Sequence, residues 1–523
     1  MFRNSYLLYL ALFISIPSFG QNDYSLSLQK KEKRDLELVQ QLWMNTQNAA
    51  GLSLMPIENG GISVMSVGRT SGSFNRVQEG NAENKLSFSS ERFDRIGESI
   101  YIYGKFDFNM SRQFERSWSD VLETYNSDPY IYGSSLKGKY DYQKFNLFAK
   151  IATKEIKRFT FGTQISYTVS DFSRLKDPRS RDCLADYSII PSTTYRLNKT
   201  QIIGLNLKYR HRKEKTPSVM TVQTDPNMKY YTFTGMENVE GKTGGYSSFK
   251  REFVNDIFGI GFDYNFRSGK LNSLNSITFD SEKESIWGTN KQSPGNYKEK
   301  VYAFSSYNTY KSEKALHSLE INAKISDGKA NEFRQELISK TDTATGIISQ
   351  HWNTLFIYKG RYTVSMNNIL AHYRRYSLKN ENKYNSYIGA MAQYSSFSNQ
   401  YNLPLSSLKV SNLSGGIEGG VKLLGIKSHS LWFESQASYM HVLNAEMNLS
   451  NSSSDYAKQV LIPDMEYYNS SCVKANASLQ YVFPLKFKSS NNTGYIKMWG
   501  ENTWAKSSRE KRSIFLSIGI YTD

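Results

Sequence analysis

The feature that most constrains this chain is strict two-residue alternation, cleanest between Phe145 and Val169. Phe145, Leu147, Ala149 and Ile151 alternate with Asn146, Phe148, Lys150 and Ala152. After a short charged connection, Phe159, Phe161, Ile165, Tyr167 and Val169 alternate with Thr160, Gly162, Gln164, Ser166 and Thr168. Successive side chains of a strand point to opposite faces, so one face of this hairpin is apolar and the other small, hydroxylated or charged. Such strands suit a soluble sandwich, whose apolar faces meet in a core, or a membrane barrel, whose apolar face meets lipid.

The rest of the chain chooses between them. The pattern recurs at 100–108, 203–210, 258–266, 319–325, 431–439, 477–485 and 514–520. Segments of about ten residues are what a tilted barrel strand needs. Hydrophobic residues make up 39% of the chain and mean hydropathy is −0.55. After the first twenty residues no stretch approaches the ~18 consecutive apolar residues of a spanning helix. A membrane helix bundle is therefore excluded, whereas a barrel meets lipid with alternate residues only. The 37 Tyr and 29 Phe suit aromatic girdles at the two interfaces.

The expected fold class is all-β, a transmembrane antiparallel β-barrel with a short N-terminal helical hatch. A single-chain barrel with both ends in the periplasm needs an even strand number. About eighteen or nineteen candidate segments, some of them halves of one strand, predict 16 strands, with 14 and 18 open. Short connections near 153–155, 198–200, 268–270 and 312–315 are expected in the periplasm. Long ones at 110–137, 171–185, 213–252, 283–298, 328–349 and 444–470 are expected outside. This alternation of lengths holds to about residue 360 and then fails. The last strand ends in Asp523, with Tyr521 in place of a terminal aromatic.

Three domains are expected: a signal peptide at 1–20, a periplasmic helix or hatch at 21–55, and the barrel at 56–523. Arg3, the apolar run Tyr6–Ile16 and Ser18-Phe19-Gly20 form a secretory signal. A helix is predicted over 33–48, with Leu36, Val39 and Trp43 on one face and Leu38 and Leu42 widening it. Gly51 is a natural residue on which to leave it. The hatch residues are thus Leu36, Val39, Trp43, Asn48 and Gly51.

A helix, then Asn48-Ala49-Ala50-Gly51-Leu52, then a barrel resembles the N-terminal hatch of the fatty-acid transporter (FadL-like) barrels. Trp43, Asn48, Ala50, Gly51 and Leu52 carry the match, with Ala49 where those transporters usually have Pro. The chain as a whole resembles an uncharacterised family of Bacteroidota outer-membrane barrels. These resemblances imply a barrel with an N-terminal hatch and supply no cargo.

The charge of +17 is spread over strand ends and loops. It suits solvated rims beside anionic lipid headgroups, and no nucleic-acid motif accompanies it. The histidines 211, 317, 351, 372, 429 and 441 form no H-x-x-x-H or H-E-x-x-H pattern. No enzyme activity, cofactor or metal site is expected, and His441 is read as a girdle or rim residue. Cys183 and Cys472, in polar loop-like sequence, leave both a disulfide and two free thiols open. Alternation turns Lys105, Asp107, Lys208, Arg210, Asp263, Glu320, Lys324 and Glu434 toward the lumen. They either pair across it and hold it shut or form a selective path. Met220, Met228, Tyr230, Tyr231, Phe233, Met236 and Tyr246 suggest that loop 213–252 is a lid folded over the pore or a surface for a partner. Asp342-Thr343-Ala344 looks like the Bacteroidota O-glycosylation sequon.

The function expected is a gated outer-membrane pore for passive transport of a small, amphipathic solute. The alternative is a non-transporting barrel, an accessory subunit of an outer-membrane receptor or secretion complex. Expected partners are outer-membrane lipid, the unidentified solute and, on the alternative, an outer-membrane protein.

Overall fold

A computed structural model describes residues 29–55, 59–125, 127–222, 228–243, 249–341, 344–381, 383–426, 429–487 and 490–522. The signal at 1–20, Tyr246 and the Asp342-Thr343 of the sequon lie outside the described residues.

Eighteen long strands form one closed antiparallel barrel. They are β1 (Gly60–Gly72), β2 (Ala82–Ile96), β3 (Ile100–Arg116), β4 (Gly138–Thr153), β5 (Phe159–Arg174) and β6 (Arg179–Arg196). Next come β7 (Gln201–Thr216), β8 (Arg251–Ser268), β9 (Leu271–Trp287), β10 (Gly295–Lys311), β11 (Ala315–Thr341) and β12 (Ile348–Asn380). The last are β13 (Lys383–Tyr401), β14 (Ser406–Ile426), β15 (His429–Asn448), β16 (Cys472–Phe487), β17 (Ser490–Ala505) and β18 (Glu510–Thr522). Each pairs with its sequence neighbour, and β18 returns to β1, with Met65 opposite Ile518 and Val67 opposite Leu516.

Closure removes the sheet edges, which lets a sheet span lipid with its backbone satisfied. The outward residues form the matching belt: Leu147, Leu207, Phe258, Ile277, Ile417 and Ile514 are all large, apolar and exposed. A polypeptide with this belt is an integral outer-membrane protein. Near the short-turn end His317 and His429 meet Tyr373 and Tyr481 at 2.7 Å each, on the lipid-facing side. His441 lies outward too, stacked on Tyr439 toward the other end of β15.

The strand number corrects the expected 16 to 18. Segments read as halves of one strand are whole strands, and the connections 175–178 and 402–405, at the long-loop end, are only four residues long and each contains a proline. Short and long therefore do not separate the two ends, which is why the alternation of lengths fails beyond residue 360. Residues 359–361 are a bulge inside β12, which ends at Asn380, and β13 starts at Lys383. The stretch read as loop 171–185 is mostly strand, with Arg181 on β6 paired to Asp171 on β5 at 2.6 Å. Strand also fills most of 328–349, since β11 runs to Thr341 and β12 starts at Ile348. Alternation fades there because neither face meets lipid. Cys183 lies in β6 and Cys472 opens β16, so neither is in a loop, and both are free thiols.

The predicted helix 33–48 is shorter and earlier. A helix α1 (Gln29–Gln40) stops at Gln41, and two 3-10 turns follow at Leu42–Asn45 and Ala49–Leu54. Gly51 therefore does not end a helix; it lies inside the second turn, beneath the Trp43 ring.

Candidate functional site: the lumen and its two ends

Residues 29–55 sit inside the short-turn end of the barrel and touch its wall around the circumference. The second turn is seated on β4–β8. Asn48 Oδ1 accepts from the Ala50 N–H at 3.1 Å, and Asn48 Nδ2 donates to Asp263 Oδ2 at 2.9 Å. Asp263 is fully buried there. Ala50 N–H also donates to Ser192 Oγ, and Thr160 Oγ1 donates to the Ala50 carbonyl at 2.9 Å. Lys150 Nζ donates to the carbonyls of Thr46 (2.7 Å) and Met44 (3.0 Å), taking the place of further helix.

Missing side chains make this seat possible. A Cβ on Gly162 would stand 2.5 Å from Ala50 N, and one on Gly51 would stand 2.2 Å from the Trp43 ring. Trp43, Leu42 and Leu52 complete the packing against Phe93, Tyr103, Ile202 and Leu274.

Helix α1 is held differently, by one apolar anchor and a set of ion pairs. Leu36 enters a cluster with Leu316, Tyr376, Tyr384, Trp432, Val482 and Tyr521, and Val39 packs at its margin. Leu38, predicted to widen the face, points away and is exposed. Lys31 bonds Asp35 at 2.8 Å, lies 3.7 Å from Glu434 and sits over the Trp432 ring. Burial opposes its charge, yet Asp35 and Glu434 keep its pKa above the ordinary lysine value. Lys422 meets Glu32 at 2.7 Å, Tyr384 donates to Asp35 at 2.6 Å, and Arg34 meets Glu91 at 3.4 Å.

The lumen-facing charges pair along the wall rather than across the lumen. Lys208 reaches Asp280 at 2.8 Å over Gly259, all three on one rung of β7, β8 and β9. Arg374 pairs with Glu418 over Gly389 in the same way on β12, β13 and β14. A Cβ at either glycine would collide with the carboxylate, coming within 2.0 Å at Gly259 and 2.7 Å at Gly389. Arg210 clasps Asp186 on β6 with two bonds of 2.5 and 2.9 Å. Lys105 meets Asp107 on its own strand at 3.3 Å, and Glu434 meets Lys497 at 2.7 Å. Glu320 accepts from Asn322 at 2.5 Å, and Lys324 shares their face, exposed to the interior. With the charges drawn to the wall, a cavity of about 590 Å³ lies in the lumen, lined by Arg374, Tyr387, Glu418, Glu434, Lys497 and Trp499 among others.

The other end is covered by loops. Tyr132–Ser134, Lys229–Gly235 and Asn238–Thr243 pair into a small sheet lying inside the mouth. Met228, Tyr230 and Met236 bury against wall residues Phe253, Tyr297, Tyr362 and Leu408, while Tyr231 and Phe233 pack on Trp118, Tyr456 and Val460. Met220 is exposed and takes no part. Glu237 fastens three segments, its carboxylate accepting from Ser406 Oγ, Ser450 N–H (2.9 Å) and Asn451 N–H (3.2 Å). In the 449–471 connection, helix α2 (Ile462–Tyr468) sets Asp464 to accept from the Val77 N–H at 2.8 Å.

Sequence reading passed over Lys150, Gly162, Ser192, Lys31, Trp432 and Glu237. The inward parity of Lys150 and Gly162 was available; that a distant segment would sit on them was not.

Several solved barrels are similar in outline. The ferric citrate transporter FecA in its unliganded form has a TM-score of 0.38 at 8% identity, covering 88% of this chain and 78% of that one. The copper transporter OprC has a TM-score of 0.36 at 8% identity, over 89% and 81%. A Pseudomonas aeruginosa FadL homologue has a TM-score of 0.30 at 8% identity, over 91% and 92%. No curated protein matches the sequence. Residues 49–522 match the family described as "Family of unknown function (DUF6850)", and the chain belongs to that family.

Proposed function

We propose that this barrel is a gated passage for a small, amphipathic solute, with residues 29–55 as the inner gate and the folded outer loops as the lid. The observation that carries the reading is the unequal hold on the inner segment. Hydroxyl hydrogen bonds to the Ala50 backbone fix the Ala49–Leu54 turn to the wall, and Lys150 holds the Thr46 carbonyl just before it. Ion pairs and a single apolar anchor hold α1. Lys31 and Glu32 are buried, and the ions of these pairs regain hydration when the helix moves into water, so α1 is the part that can leave while the turn stays. Behind it lies a polar cavity whose charges already lean on the wall. The lumen-facing set Lys105, Asp107, Lys208, Arg210, Asp263, Glu320, Lys324 and Glu434 then lines the path, with Asp263 diverted to anchor the turn.

Planar-bilayer conductance of the mature protein beside a variant lacking residues 21–41 tests this. Conductance should be small in the full chain and should rise when α1 is removed. Silence from both, with the variant still migrating as a folded barrel, would sink the passage. The accessory-subunit reading, which a doubly covered lumen also suits, would then lead.

A further inference from the structure

The hairpin β11–β12 leaves the barrel wall and continues alone. Pairing of β11 with β10 stops at Glu332, and pairing of β12 with β13 starts only at Tyr362. Beyond those points 333–341 and 348–358 pair with each other, and among the described residues with no third strand. The departure is marked by the bulge at 359–361, where Gly360 has φ +60 and donates its N–H to Asn331 Oδ1 at 2.8 Å.

The two edges of this ribbon are not equivalent. On the β11 side the connection 288–294 leans against it: Ser293 N–H donates to Gln335 and Phe333 N–H to the Pro294 carbonyl, while Trp352 Nε1, from β12, donates to the Asn290 carbonyl. That half, Phe333–Thr341, also carries Arg334, Glu336 and Lys340. The β12 half, Ile348–Tyr358, reads ISQHWNTLFIY, without Lys, Arg, Asp, Glu or Pro. Those are the residues by which free strand edges are normally kept from pairing. The open edge thus lacks charged and proline guards and carries one bulge, at Leu355, which leaves Ile348–Thr354 as its regular stretch.

Its surroundings are apolar as well. Leu337, Ile347, Ile348, Leu355, Phe356 and Ile357 are 40–65% exposed. They are not a continuation of the lipid belt. Along β11 the outward face goes from Ile325 through Asp327 and Lys329, paired with Ser365 and Thr363, before turning apolar again at Phe333. Phe333 lies about 27 Å of strand beyond Ile325, past a polar collar where acyl chains end. A two-stranded ribbon is marginally stable alone in water, and an apolar surface of this kind marks an interaction site.

We infer that the β12 edge Ile348–Tyr358 is a docking edge for an extended polypeptide segment of a partner protein at the cell surface, added as a third strand. Unpaired N–H and C=O groups at strand spacing are complemented by another backbone, with apolar side chains flanking them. Saccharide headgroups offer neither the spacing nor the apolar face. The inference is independent of whether the lumen conducts.

Hydrogen exchange of the full protein in outer membranes of its source cells, compared with the purified protein in detergent, tests it. Amides within 348–358 should exchange at least about tenfold more slowly in the membrane, and the difference should vanish on purification. The doubly guarded variant Ser349→Lys/Asn353→Lys should lose the protection in membranes while exchange of the barrel strands stays unchanged. Equal exchange in both preparations overturns the inference. Protection that survives purification together with a doubled mass also overturns it, because the edge is then taken by a second copy.

Discussion

At the scale of single residues, glycine and carboxylate positions decide what the interior can be. Gly259 and Gly389 let a cation and an anion two strands apart meet flat against the wall, where any side chain would force them into the lumen. In the outer cap, Asp464 behaves unlike an ordinary surface acid. Burial pushes its carboxyl up to about 7, against the Val77 N–H and the Arg76 charge, which favour ionisation. Its proton is therefore bound more tightly in the folded cap than in an opened one. Stability of the cap should rise as pH falls from about 8 to about 5 and level off near the ordinary carboxylate range. Glu237 has the opposite sign: burial opposes its charge, but donors from Ser406, Ser450 and Asn451 hold its pKa below the ordinary range, so its contribution is lost only in more acid solution. Protease trimming of the 449–471 connection should slow toward pH 5 in the parent and become flat between these pH values in Asp464→Asn.

At the scale of elements, the inner segment is two devices joined at Gln41. The turn depends on close backbone approach, so a side chain beneath it is a direct probe. Gly162→Val places carbon within 2.5 Å of Ala50 N and must lift the turn from Lys150 and Thr160. Losing one or two such bonds at about 1 kcal/mol each predicts roughly tenfold faster proteolysis of residues 29–55, with the barrel still folded. Unchanged trimming would mean that the turn is held by Trp43 and Leu52 packing alone. The helix prediction went astray at this element for a physical reason. Leu36, Val39 and Trp43 do have helical spacing, but Lys150, over a hundred residues away, supplies the donor that replaces further helical hydrogen bonds.

At the scale of the whole molecule, the bilayer is the solvent that organises the outside. Leu207 is 53% exposed in the middle of β7 and belongs to the lipid belt. Leu207→Arg should lower folding stability in vesicles by about 2–4 kcal/mol. Denaturant titration of refolding into lipid would read this out, and a cost near zero would place that band outside the hydrocarbon. The barrel class was legible because lipid acts on every strand alike, leaving the same alternation from Phe145 to Ile520. Strand number was harder to read, since segments that read as halves of one strand are whole strands, and β11 and β12 continue past the membrane into water.

What the amino-acid order determined by itself is local: a two-residue period, a face for each side chain, and hence a closed sheet with an apolar outside. Parity turns Lys208 and Arg210 inward, but it contains nothing about Asp280 or Asp186, which lie 72 and 24 residues away. Only the tertiary structure decided those partners, the seat of Asn48 on Asp263, the folding of the outer loops into the mouth, and the lone ribbon above the rim. Each depends on which strands closure brings side by side, and closure is a property of the whole ring rather than of any stretch of chain.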